Sequence, residues 1–82
     1  MTFEDAVLLV QKELHAAMQK WPDWPTDAVH AAAVVAEEAG ELTRASLRYH
    51  YEGEAWGDMP TEAMQTAAMA IRFMMNAERL KR

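Results

Sequence analysis

The stretch TDAVHAAAVVAEEAGELTRASLRYHY, Thr26 to Tyr51, decides the fold. It holds no proline, a single glycine and seven alanines, a composition with high helix propensity. Each residue advances about 100° around a helix axis. His30, Glu37, Glu41, Arg44 and Arg48 then share one narrow stripe, with Glu38 at its margin. The remaining circumference carries Val29, Ala32, Val35, Ala36, Ala39, Leu42 and Leu47. A helix with so much apolar surface is covered by neighbours over most of its circumference. Thr26 or Asp27 can cap its start, and Gly53 stands where a helix C-terminal glycine belongs.

Upstream lies Trp21-Pro22-Asp23-Trp24-Pro25. Two prolines three residues apart end one helix before the next begins. The residues before them predict a first helix from about Thr2 to Lys20, with Thr2 as N-cap and Asp5 in its first turn. Phe3, Val7, Val10, Leu14, Ala17 and Trp21 give that helix one apolar face. Downstream, Glu52 to Pro60 with Gly53 and Gly57 forms a second break. A third helix starts near Asp58 or Met59, takes Pro60 in its first turn and runs to about Leu80. Its polar stripe is Glu62, Gln65, Arg72, Asn76 and Arg79, interrupted by Met69. Two helices this apolar cannot both be enclosed by one more from the same chain. The expected fold is therefore all-α, one domain over residues 1–82. Its second and third helices form an oligomeric bundle with their copies, in a homo-oligomer that is a dimer or a tetramer.

Composition supports that expectation and excludes other classes. At 82 residues the chain is close to the size where a single core barely suffices, and it has no cysteine for disulfides or thiolate metal sites. The formal charge of -5 argues against binding a nucleic acid polymer, which needs a basic face. No basic and apolar leader opens the chain, and no apolar run approaches the roughly 20 residues of a membrane span. No membrane partner is expected, and the cytoplasm is the expected location.

Within the second helix, Glu37-Glu38-Ala39-Gly40-Glu41 sets carboxylates three and four residues apart, so they are neighbours on one surface. Clustered like charges cost stability unless a cation answers them, and Mg²⁺ prefers such oxygen ligands. Gly40, a costly residue inside a helix, suggests close approach of another backbone or a ligand. A solvated acidic face is the plainer reading of this motif alone. Glu62 and Gln65, three apart on the third helix, strengthen the other reading. If the two helices are antiparallel neighbours, two polar stripes face each other across apolar surroundings, as in a bundle site.

The run Glu37-Glu38-Ala39-Gly40-Glu41-Leu42, followed after one loop by Glu62-Ala63-Met64-Gln65, resembles the MazG-like nucleotide pyrophosphohydrolases, all-α enzymes. The resemblance covers roughly residues 20 to 80 and is nearest to short phage-encoded members. It implies Mg²⁺-dependent cleavage of a nucleoside triphosphate between its α and β phosphates, giving monophosphate and pyrophosphate. By position it implies metal ligands Glu38, Glu41, Glu62 and Gln65, with Glu37 a ligand or an orienter of the attacking water beside Glu38. The family pattern has Asp where this chain has Gln65, an uncharged carbonyl donor. A catalytically impaired nucleotide-binding or interaction module is therefore the alternative, and a purely helical assembly protein a third reading.

Substrate contacts are expected from Arg48, Arg72 or Arg79, whose guanidinium groups suit phosphate oxygens. Asn76 belongs with them by resemblance. Trp21 and Trp24 are both candidates for stacking on a base; the plainer reading is that they fill the hinge, more so for Trp21, which continues the apolar face of the first helix. His30 opens the acidic stripe and could reach base or phosphate, although a plain surface histidine is the simpler reading.

Overall fold

In the computed structural model, which describes Met1–Arg82 throughout, the chain forms α1 (Phe3–Lys20), α2 (Ala28–Glu52) and α3 (Asp58–Asn76). A single 3₁₀ turn, Ala77–Leu80, follows α3, so the third helix ends four residues before the expected Leu80. Local chemistry sets most of the boundaries. Thr2 and Asp5 form a reciprocal capping box: Asp5 N–H donates to Thr2 Oγ1 at 3.1 Å, and Thr2 N–H donates to Asp5 Oδ2 at 3.2 Å. Asp27 caps α2 by accepting from His30 N–H at 2.9 Å. Gly53 ends α2 at φ 70°, a left-handed conformation that favours glycine.

The helices run up, down and up. Glu38 and Glu41 of α2 meet Glu62 near the start of α3, whereas the hinge just before α2 meets Arg72 near its end. α2 is therefore antiparallel to α3. Ala6 and Val10 lie beside Pro60 and Met64, and Trp21 beside Arg72, so α1 runs in the same direction as α3. α3 is the shared helix: it packs on both others, while α1 and α2 scarcely touch. The register places Asp58 opposite about Ala45, so the last two turns of α2 overshoot α3. The returning loop lies along that overhang, with Trp56 edge-on to Tyr49 at 5.4 Å.

Burial within the subunit is slight. Only Leu14, Ala31, Ala68 and Arg72 are buried. Val29 remains 80% exposed, Tyr51 76% and Met74 75%, with Leu47, Ile71 and Met75 also open. The accessible surface is 6209 Å². A compact monomer of this mass would expose about 5,000 Å², so roughly 1,200 Å² is in excess. The radius of gyration, 13.9 Å, also exceeds the about 12 Å expected for 82 residues. No helix is long and apolar enough to cross a membrane.

Candidate metal centre and its flanking cavity

Glu38 and Glu41 are one turn apart on α2, and the antiparallel packing brings Glu62 of α3 against them. One carboxylate oxygen from each lies within 4.8 Å of the other two. Neighbouring oxygens of a six-coordinate Mg²⁺ are about 2.9 Å apart and opposite ones about 4.2 Å, so the side chains would draw together by up to about 2 Å to close on one ion. Glu38 Oε2 and Glu62 Oε2 are shielded from solvent and have no hydrogen-bond partner. A shielded carboxylate oxygen without a donor is costly, and a cation or a proton must answer it.

The electrostatics follow from this crowding. The Glu38 carboxyl is pushed above the usual carboxylate range, first by burial, then by the charges of Glu41, Glu62, Glu37 and Glu13. The Glu62 carboxyl is also raised, first by burial, then by the charge of Glu41 and a hydrogen bond shared with it, and by Asp58.

Of the other expected ligands, Glu37 is exposed and lies outside the group of three, acting on Glu38 only through its charge. Gln65, half-buried one turn beyond Glu62, faces a neighbouring cavity of about 270 Å³. Glu38 lines the same cavity and so belongs to both features. From α1 and its end, Glu13, Lys20 and Trp21 complete the cavity, with Met69 from α3. None of these three α1-side residues was singled out as polar site material by helix periodicity, because the α1 reading rested on its apolar face. Gly40 has nothing within 4 Å of where a Cβ would stand, so the expected close approach does not occur within the subunit.

The third-helix stripe divides in two. Its first half, Glu62 and Gln65, faces the site; its second half is structural. Arg72 is 4% exposed, and its Nη2 donates to Trp21 O at 2.6 Å and more weakly to Asp23 O at 3.4 Å. Its guanidinium carbon stands 5.0 Å from the centre of the Trp24 ring. Two prolines deprive the hinge of backbone donors, and Arg72 supplies donors to carbonyls that no helix satisfies. Committed in this way, Arg72 is not free for phosphate. Asn76 donates to Arg72 O at 2.8 Å and accepts from Arg79 Nη1 at 3.0 Å, which ties down the end of α3.

The two hinge tryptophans differ in exposure. Trp24, expected to stack on a base, is half-buried against Arg72, with its Nε1 shielded and unpartnered. Trp21, expected to fill the hinge, is 64% exposed at the edge of the cavity. The reason is that α1 ends at Lys20, so its helical face does not extend to Trp21. Arg48 and His30 are exposed, and neither takes part in an ion pair, the chain's one ion pair being Lys81 with Glu78. The chain matches no protein-family profile, no curated protein and no solved structure.

Proposed function

We propose that the chain is a MazG-like, Mg²⁺-dependent nucleoside triphosphate pyrophosphohydrolase. The observation that carries this reading is the group of three carboxylates from two helices, two of them with shielded and unpaired oxygens, opening beside a cavity. Crowded carboxylates cost a purely structural bundle stability, and a bound cation would relieve that cost. Glu38, Glu41 and Glu62 would hold the ion, and Gln65 could lend a neutral carbonyl oxygen. When bound, the ion supplies charge neutralisation at phosphate oxygens and a lowered pKa for a coordinated water. Glu37, exposed beside the group, is placed to accept a proton from attacking water at its carboxylate. Arg48, on the same α2 stripe and free of ion pairs, is available to the outer phosphates.

The same reading includes a homo-oligomer. The excess of roughly 1,200 Å² is more than the about 800 Å² that each partner buries in a standard interface. The open flanks of α2 and α3, with Val29, Leu47, Ile71, Met74 and Met75, are the surface for it.

One residue favours a second reading. Gln65 stands where a fourth anionic ligand would hold the ion more strongly, which suits a module that binds nucleotides without cleaving them. The deciding experiment follows thermal melting and pyrophosphate release together, with and without Mg²⁺, across eight NTPs and dNTPs. A shift with release establishes the hydrolase. A shift without release leaves the binding module. No shift with any nucleotide removes both, and light scattering at several concentrations then tests the oligomer alone.

A further inference from the structure

The wall that α1 presents beside Glu38 has no part in holding a cation. Glu13 and Lys20 lie seven residues, or about two turns, apart on one side of α1. Both line the 270 Å³ cavity, and neither is in an ion pair. Glu13 is half-buried, Trp21 stands exposed at the edge, and Gln65 and Met69 close the side formed by α3. The cavity lies just below the roughly 300 Å³ at which pockets begin to take drug-sized ligands. It has room for one planar heterocycle but not for a whole nucleotide. Glu38 belongs to both the cavity and the carboxylate group, so the two adjoin, and a nucleotide with its ring in the cavity can reach the proposed ion site with its phosphates.

We propose that this cavity takes the nucleobase, and that Glu13 is a specificity-determining residue accepting a hydrogen bond from the exocyclic amine of cytosine, adenine or guanine; this rests on the nucleotide reading above. An ionised carboxylate only accepts hydrogen bonds. Cytosine presents an amine where uracil and thymine present the O4 acceptor. Uracil in the same pose sets acceptor against acceptor in a partly enclosed site, and both groups lose their water without compensation. Lys20 supplies the complementary donor for a ring carbonyl such as guanine O6. Trp21 is exposed at the cavity edge with Lys20 Nζ 5.6 Å from its ring centre, so a base would stack on the opposite face or displace that ammonium towards its own carbonyl. The other carboxylate lining the cavity, Glu38, belongs to the proposed ion site, and Gln65 can present either a donor or an acceptor.

The test compares kcat/KM for CTP against UTP, and dCTP against TTP, in the wild type, Glu13→Ala and Glu13→Gln, at saturating Mg²⁺. The wild type should favour cytosine by roughly tenfold to hundredfold, the range of one well-placed base contact. In Glu13→Ala the ratio should collapse towards one, and it should do the same in Glu13→Gln, whose amide can turn to accept from cytosine or donate to uracil. A merely structural Glu13 would lower both substrates together and leave the ratio unchanged. Equal use of both bases by the wild type, or a ratio that survives Glu13→Ala, overturns the proposal. A second probe needs neither phosphate nor metal: quenching of Trp21 fluorescence by cytidine against uridine, assigned with Trp21→Phe. Selective quenching by cytidine without triphosphate cleavage upholds the base cavity and removes the hydrolase reading. Cleavage of all triphosphates without cytidine selectivity does the reverse.

Discussion

Replacing Glu38 by Gln should make the cation-free protein more stable and deprive it of its response to Mg²⁺. The side chain keeps its shape and loses its charge. Its oxygen lies within 4.8 Å of carboxylate oxygens of Glu41 and Glu62. Two like charges at that separation repel by about 1 kcal/mol in bulk water and about 3.5 kcal/mol at an effective dielectric constant of 20. Glu41 is exposed and water screens the repulsion, so the lower figure applies. Relief of about 1 kcal/mol raises the melting temperature of a domain this size by roughly 4–8 °C. In the wild type, Mg²⁺ at about ten times its dissociation constant should add about 1.4 kcal/mol, or roughly 6–11 °C. The variant should gain almost nothing from Mg²⁺. The assay is differential scanning fluorimetry of both proteins at one fixed concentration, because any self-association would make the melting temperature depend on concentration. A solvated acidic face predicts the first effect weakly and the second not at all. A variant that melts lower than the wild type without cation, or that keeps the Mg²⁺ shift, refutes the site.

The raised carboxyls of Glu38 and Glu62 set an unusual pH dependence. The folded state binds their protons more tightly than the unfolded state, whose reference value is 4.5. Where the native state holds more protons, stability falls as pH rises, so cation-free protein should gain stability from pH 7 down towards about 4.5, as measured by urea titration. Mg²⁺ should flatten this slope, because the ion competes with protons for the same carboxylates; a steeper slope with Mg²⁺ would contradict the assignment. Arg72→Met should cost about 2–3 kcal/mol by the same titration, from lost charged hydrogen bonds to the hinge, and a cost below about 0.5 kcal/mol would mean the clamp is idle. Gln65→Asp adds a fourth carboxylate beside the group, so it should tighten Mg²⁺ about tenfold by calorimetry while lowering the cation-free melting temperature. Unchanged affinity would place position 65 in the cavity alone.

The helices were legible because their determinants are local. Thr2 with Asp5, Asp27, and Gly53 each act within a few residues, and all three serve where the sequence places them. The meeting of Glu38, Glu41 and Glu62 was also legible, since two stripes and one short loop leave few ways to pair the helices. Arg72 was not. Its partners are backbone carbonyls 49 and 51 residues away, and a carbonyl carries no side-chain signature. It therefore looks like one more cation on a polar stripe. The tryptophans failed for a related reason: between two prolines there is no periodicity to assign a face, so Trp21 and Trp24 could not be told apart. Glu13 was missed because it is flanked by Leu14 and lies on a helix whose reading rested on apolar spacing.

These misreadings share a physical cause that bears on function. The subunit buries only four residues, one of them an arginine, yet it places carboxylates where two of their oxygens are shielded and unpaired. A domain this small has on the order of 5–10 kcal/mol of stability to draw on. Spending part of it on mutual repulsion is tolerable only if binding returns it, which is the usual condition of a functional site that breaks local rules. The clamp formed by Arg72, Trp24 and Asn76 lies at the opposite end of α3 from Glu62 and fixes the hinge that sets the register of α2. A slip of α2 by one residue, about 1.5 Å of rise and 100° of turn, would rotate Glu38 and Glu41 away from Glu62. The rigid end of the bundle thus holds in place the strained end. Loosening the clamp with Arg72→Met should therefore weaken Mg²⁺ binding as well as stability, although Arg72 touches neither the carboxylates nor any phosphate. An Arg72→Met protein that is less stable but binds Mg²⁺ as the wild type does would show the two ends to be independent.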